Sequence, residues 1–242
     1  MLGKILITGA SSGIGRSIAI KLSTIGYDCI IVGRNFDRLK STYDDLSGNG
    51  HLYLNGDIND EDFLDKFSSH IGEINGIVHA AGIIKLQPFQ FVKKEDFLQI
   101  LNTNLLSPFF LTQKLFNSKK ILNQSSIVFI SSISGPIIGS KGNLMYSSSK
   151  SAVNGLIKTL ALELAKKKIR VNAISAGMIV TELWTNNSSK LTSEQFYQDS
   201  LKYPLGYGKP EDIASIVSYL ISEDSSWITG STIVVDGGFT IQ

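Results

Sequence analysis

The chain has 242 residues, 43% of them hydrophobic, with a formal net charge of +2. That length and apolar content suit one domain spanning 1–242 with a substantial buried core, and the near-neutral charge argues against a nucleic-acid partner. With one cysteine and apolar stretches far shorter than the ~20 residues that cross a bilayer, neither an intrachain disulfide nor a membrane span is expected.

The first strand signal is Lys4-Ile5-Leu6-Ile7-Thr8, which begins too early to leave room for a targeting segment, so a cytoplasmic protein is expected. Gly9-Ala-Ser-Ser-Gly13-Ile-Gly15 follows, and then the helical apolar spacing Ile14, Ile18, Leu22. Glycines between a strand and a helix permit positive φ and close backbone approach, and the helix N-terminus then offers free N–H groups to a pyrophosphate. A dinucleotide is the natural ligand for such a turn, although a plain turn could also use three glycines.

The second strand, near Asp28–Val32, holds the lone Cys29 as a small buried hydrophobe and ends in Gly33-Arg34-Asn35. An acidic residue there would accept bonds from a ribose 2′-hydroxyl and repel a 2′-phosphate, whereas Gly33 has no carboxylate and Arg34 offers a planar cationic fork. NADP(H) is therefore expected in preference to NAD(H), with Ser11 adding a hydroxyl to the same phosphate. The alternative for Arg34 is a surface residue at a helix start. After a third strand near Leu52–Asn55, Asp57 either approaches the adenine or caps a helix starting near Asn59.

Further strands are expected near Gly76–His79, Ser126–Ile130, Arg170–Ser175 and Thr232–Val235, with helices over about 93–116 and 146–166. Alternating strands and helices imply an α/β fold with a parallel sheet covered on both faces, and ligands then gather outside the strand C-terminal ends. Gly9, Gly33, Ala81, Ser132 and Gly177 all fall at such ends. Lys119-Lys120 and Lys166-Lys-Lys168 sit at expected helix ends, where cations complement the dipole, though an acidic partner could also use them. His51, His70 and His79 have no metal-ligand spacing, so no metal site is expected. The stretch from Thr181 to Tyr203, with Trp184, Phe196 and Tyr197, reads either as a mobile lid or as a surface loop.

In Tyr146-Ser-Ser-Ser-Lys150 a phenol and an ammonium lie four residues apart, one helical turn, and project from one face. An adjacent cation favours the phenolate and would bring a Tyr pKa down from ~10 toward the range useful for proton transfer at neutral pH. The spacing also occurs on ordinary amphipathic helices, so the pair gains meaning only from the other motifs.

Thr8-Gly-Ala-Ser-Ser-Gly-Ile-Gly15, Asn104 in Asn-Thr-Asn-Leu, Ser132 in Ile-Ser-Ser-Ile-Ser-Gly and Tyr146-x-x-x-Lys150, in this order, resemble the short-chain dehydrogenase/reductase family over nearly the whole chain. Gly208-Lys-Pro-Glu-Asp-Ile-Ala214 and Thr229-Gly-Ser-Thr add to the likeness. The resemblance implies a single-domain Rossmann-type, doubly wound parallel sheet of about seven strands with helices on both faces. It implies a catalytic set of Asn104, Ser132, Tyr146 and Lys150. It places dinucleotide contacts on Gly9, Ser11, Ser12, Gly13, Ile14 and Gly15 in the turn, and on Arg34, Asp57 and Ile58 at the adenosine. Ala81 and Gly82 follow the fourth strand, and Tyr146, Lys150, Gly177, Ile179 and Thr181 surround the nicotinamide.

The implied activity is NADP(H)-dependent interconversion of a carbonyl and a secondary alcohol, similar to 3-oxoacyl-[acyl-carrier-protein] reductases, with a small-molecule or carrier-bound substrate. Dimers or tetramers through the two long helices are implied as well. The competing expectation is an NADP-binding regulatory or interaction protein with the same fold and little turnover. Two positions depart from the family pattern: His79-Ala80 stands where Asn-Asn is usual, and Ala176 where Pro is usual. Losing the Asn leaves strand coupling there to backbone bonds or to His79, and losing Pro restores a backbone donor.

Overall fold

Strands β1 (Lys4–Thr8), β2 (Asp28–Gly33), β3 (Leu52–Asn55), β4 (Ile74–His79), β5 (Ile121–Ser132), β6 (Arg170–Ala176) and β7 (Thr232–Val235) form one parallel sheet in the order β3-β2-β1-β4-β5-β6-β7. The computed structural model describes residues 2–181 and 193–242. Central strands such as β2 and β6 are buried at every position, the mark of a parallel sheet covered on both faces. Their alternating residues feed two cores. Ile5, Ile7, Ile31, Val128 and Ile174 pack toward helices α1 (Gly13–Thr24), α2 (Phe36–Asp44) and Pro210–Ile221. Leu6, Ile30, Ile77, Phe129 and Val171 pack toward α3 (Glu61–His70) and the helices at Ser107–Asn117 and Leu144–Leu164.

The stretch expected as one helix over about 93–116 is three elements: α4 (Lys94–Leu101), a π-helical turn (Asn102–Leu106) and α5 (Ser107–Asn117). Apolar periodicity runs through this stretch and hides the widening. Asn104 there turns its amide onto the distant Ile83 backbone, and Pro108 follows in the first turn of α5. Helix α6 (Leu144–Leu164) starts two residues before Tyr146, which leaves Tyr146 and Lys150 on its first turns. It tightens into a 3₁₀ turn at Ala165–Lys167 and stops at Lys168 with φ 56°. Lys166–Lys168 therefore do end a helix, and Lys167 lies over the Phe116 ring at 4.6 Å. Both lysine runs immediately precede β5 or β6, at the sheet end opposite the crevice described below.

The remaining helices are α7 (Ser193–Ser200) and α8 (Pro210–Ile221). Most of the stretch read as a lid or loop, including Trp184, lies outside the described residues; Phe196 stacks edge-on against Tyr207 and Tyr197 is exposed. Among the described residues no helix is long and apolar enough to cross a membrane, and no group of three or more His, Cys, Asp or Glu side chains could hold a metal. Cys29 is buried, which pushes its thiol up to about 12.

Candidate active site

The strand C-terminal ends open onto a crevice of about 350 Å³ at the point where the chain order reverses between β1 and β4. The glycine turn forms one wall. Gly9 has φ +70°, and a Cβ there would lie 2.6 Å from the Ala81 backbone, so the strand–turn junction can be closed only by glycine. Gly13 follows with φ +53°, and a side chain on Gly15 would run into the Gly9 carbonyl. Ser12 leads into α1 without a side-chain cap, and no acidic residue stands in the first turn. The helix N-terminus thus keeps its N–H groups and positive field for a ligand. Gly9, Ser11, Ser12, Gly13, Ile14 and Gly15 all line the crevice, and this uncapped glycine cradle fits a pyrophosphate.

Arg34, Asp57 and Ile58 line its outer end. Asn55 Nδ2 donates to the carbonyls of Gly33 and Arg34 at 2.9 Å each and fixes the end of β2. Ser11 Oγ lies where a side chain on Gly33 would crowd it, at 3.1 Å, so the missing side chain keeps this corner open. Arg34 Nη1 stands 3.7 Å from Asp57 Oδ2, with both side chains solvent-accessible. The helix-cap alternative for Asp57 is corrected. Asp60 caps α3, accepting from Asp62 N and Phe63 N, while Asp57 Oδ1 accepts from Asn59 N at 2.9 Å. Among the lining residues that escaped the sequence reading are Arg38 and Asn59. Arg38 stands one turn after Arg34 where Asn35 caps α2, a spacing that could have exposed it; Asn59 gave no motif signal.

Ala81, Gly82 and Thr181 also line the crevice. Gly177 and Ile179 do not reach its lining: Gly177 pairs with Val235 and its Cα hydrogens face Asp236, and Ile179 is buried beside Gly208. At Ala176 the Pro-to-Ala departure places an ordinary strand residue between Ser132 and Val235.

Ser132 ends β5, and its hydroxyl lies near enough to the Tyr146 phenol to draw the phenol's pKa down. Ser131 is turned to Asn154 Oδ1 (2.8 Å), and Ser134 Oγ accepts from Asn143 Nδ2 (2.8 Å), so those two hydroxyls serve the scaffold. Lys150 Nζ lies 5.5 Å from the centre of the Tyr146 ring and donates to the Ile130 carbonyl at 2.7 Å. A side chain on Gly82 would come 3.4 Å from Asn104 Oδ1 and 3.7 Å from Lys150 Nζ, so all three border one spot. Asn104 accepts from Ile83 N (2.8 Å) and spends Nδ2 on Ile83 O and Ser149 Oγ (3.0 Å each). Its amide is first a clamp on the loop after β4, with one oxygen lone pair left for a water.

The expectation of a lowered Tyr146 pKa is corrected: on balance the phenol is raised. Burial raises the phenol above its ordinary value and outweighs the effect of the Ser132 hydroxyl, which lowers it. The ammonium sits under the ring and is itself pushed down to about 8 by burial. The protein's own groups thus favour a protonated phenol beside a hydroxyl donor, a state suited to giving a proton.

His79 sits at the end of β4, with its ring 4.6 Å from that of Phe129. Thr112 Oγ1 gives its hydrogen to Pro108 O, so its 2.8 Å contact with His79 Nε2 is a bond donated by the imidazole; Nδ1 is then an unprotonated buried atom with no partner. His79 ties β4 to α5. The strand coupling lost with the Asn is supplied by the β1–β4 ladder and by Ala81 N donating to Thr8 Oγ1. Burial pulls the imidazole down to about 3. Below pH 6.5 the unfolded chain takes a proton there that the native chain refuses, so this contribution is intact above pH 6.5 and drains as pH falls toward 3. By pH 4.5 the loss amounts to about 3 kcal/mol. Urea unfolding should therefore show wild type losing more stability between pH 7 and 4.5 than His79→Asn does; equal losses would contradict the buried neutral imidazole.

The family model described as Enoyl-(Acyl carrier protein) reductase matches residues 9–240. A 3-oxoacyl-[acyl-carrier-protein] reductase of Rickettsia bellii is 37% identical over 234 residues, which cover 96% of this chain and 95% of that protein. The crystal structure of a short chain dehydrogenase family protein from Francisella tularensis superimposes with a TM-score of 0.89 at 27% identity, covering all of both chains. This chain belongs to the short-chain dehydrogenase/reductase family. It is accordingly an oxidoreductase on a single-sheet Rossmann-type fold. A further structural likeness is a variant of the actinorhodin polyketide ketoreductase crystallised with NADPH, at TM-score 0.89 and 26% identity, covering 99% of this chain and 97% of that one.

Proposed function

We propose that the protein reduces a carbonyl to a secondary alcohol with NADPH, and that a 3-oxoacyl thioester on an acyl carrier protein is its substrate. The observation that carries this reading is the Ser132 and Tyr146 hydroxyls held beside a buried lysine whose Nζ borders Gly82, a lining residue of the glycine-walled crevice. Two neighbouring hydroxyls suit one acceptor, a carbonyl oxygen. The names of the relatives support the choice of acyl substrate, and the ketoreductase bound to NADPH supports the cofactor.

When bound, the reduced nicotinamide supplies the hydride that converts the carbonyl carbon to a carbinol carbon. Ser132 and Tyr146 donate hydrogen bonds to the carbonyl oxygen and fix its place. As that oxygen gains negative charge, Tyr146 hands over its proton, and hydride plus proton complete the alcohol. The Lys150 ammonium then faces the phenolate left behind and stabilises it. Asn104 holds the Ile83 loop and offers its remaining lone pair to a water that returns the proton by way of Lys150. In the oxidising direction the same groups take the proton from the alcohol.

Arg34 supports NADP(H) over NAD(H), as an exposed guanidinium at the crevice rim with Arg38 beside it. Arg34→Ala should weaken NADPH binding by roughly 10- to 100-fold and leave NADH binding within about threefold, read by fluorescence titration of each nucleotide. Equal loss for both nucleotides would show that Arg34 does not read the phosphate.

Helices α4, α5 and α6 leave Leu98 (54% exposed), Phe110 (52%) and Leu162 (78%) on the surface, which supports self-association through these faces. A monomeric mass by light scattering at micromolar concentration would count against it. A panel of 3-oxoacyl and enoyl thioesters, sugars, steroids and quinones, each with NADPH, tests the substrate class. Turnover on the 3-oxoacyl thioester supports the reading. Tight NADPH binding with no turnover on any compound would favour a regulatory protein.

A further inference from the structure

Asn59 sits two residues past Asp57, in the loop that closes the adenosine end of the crevice, and every hydrogen-bonding position of its amide is used. Its Nδ2 donates to Asp57 Oδ1 (2.7 Å) and to Thr103 Oγ1 (3.3 Å). Its Oδ1 accepts from Asn102 Nδ2 (3.1 Å) and from Ser107 Oγ (2.7 Å). One arm therefore grips the residue that lines the outer crevice. The other three grip the π-helical turn at Asn102 and Thr103 and the first residue of α5, Ser107, on both sides of Asn104.

No substitute side chain of similar length can do this. An aspartate has no donor for Thr103 or Asp57 and would face the Asp57 carboxylate at hydrogen-bond distance, and an alanine leaves four polar groups to find new partners. A π-turn is a poor minimum for a helix and persists where side chains hold it. Asn104 braces the turn from inside, through Ile83 and Ser149, and Asn59 braces it from outside.

We propose that Asn59 is a positioning residue that couples nucleotide contact at Asp57 to the placement of Asn104, so that filling the adenosine end rigidifies the catalytic turn. This coupling rests on the dinucleotide reading of the crevice. A bond network that both sites share makes the effect reciprocal: loosening the turn must weaken nucleotide binding by the same factor that nucleotide binding tightens the turn.

Hydrogen exchange of the backbone amides at 102–106, measured with and without NADPH, reads the coupling without turnover. NADPH should slow exchange of these amides by about tenfold in wild type and by less than about threefold in Asn59→Ala. Asn102→Ala, which cuts one arm at a residue outside the crevice lining, should weaken NADPH binding by roughly fivefold and also blunt the protection. It carries the test should Asn59→Ala fail to fold. Wild-type protection retained in both variants that bind NADPH would overturn the coupling while leaving the cofactor reading intact. Failure of the wild type to bind NADPH by thermal shift would overturn the cofactor reading and the coupling with it.

Discussion

Tyr146→Phe should lower kcat for carbonyl reduction by roughly 10³-fold while the Kd for NADPH stays within about threefold of wild type. The ring and its place over Lys150 survive the change, so the crevice keeps its shape. What disappears is the one hydroxyl that both neighbours Ser132 and carries a proton whose affinity is raised by burial. Ser132 can still hold a carbonyl oxygen, but its alkoxide is far too basic to replace a phenol as a proton source. Loss of kcat without loss of nucleotide affinity separates proton transfer from binding. A variant with both reduced together would mean that Tyr146 mainly shapes the crevice.

Lys150→Met has two expected effects of opposite sign. Activity should fall, with kcat/KM down by roughly 10²-fold, because no cation then faces the phenolate. The wild-type kcat/KM profile should also lose activity above about pH 8, where burial sets the free protein's Lys150, and that basic limb should vanish in the variant. Stability moves the other way. A buried ammonium is penalised in the native state whenever both states are charged, which holds below pH 8. The penalty is relieved as pH rises from about 8 to 10.5, where the native amine has shed its proton and the unfolded amine has not, and the whole window is worth about 3 kcal/mol. Met carries no such penalty, so its stability advantage at pH 7 should shrink by about 1 kcal/mol by pH 9. Cys29 acts in the opposite sense above pH 9, since its thiol is raised to about 12 and the native state resists losing that proton. Comparing the two proteins at each pH by urea unfolding removes the cysteine from the difference. An advantage that does not change with pH would mean that Lys150 titrates normally.

The glycine turn, the strand ends and the Tyr146/Lys150 pair were legible in the sequence because each is written in short-range spacing: a strand run, glycines where φ turns positive, and four residues along one helix. What spacing could not carry is the direction of the Tyr146 shift. Four residues guarantee one face, but the burial that raises the phenol is set by packing from distant parts of the chain, as is the Ile130 carbonyl twenty residues earlier that holds Nζ. The π-turn was invisible for a similar reason. Its apolar pattern is that of an ordinary helix, and it is held by Ile83 and Asn59 from other parts of the chain. Asp57 was misread as a candidate cap because Asp60 and Asp57 look alike from sequence, and only the start of α3 at Glu61 separates them. Choosing Ser132 over Ser131 and Ser134 likewise needed to know which hydroxyl was already committed to Asn154 or Asn143.

The most direct measurement mixes the purified protein with NADPH and a 3-oxoacyl thioester and follows nicotinamide absorbance together with product. Ser132, Tyr146 and Lys150 acting as described should give one NADPH consumed for each 3-hydroxyacyl thioester formed, with turnover that disappears in Tyr146→Phe. NADPH left unconsumed beside a bound thioester, or undiminished turnover without the phenol, would contradict it.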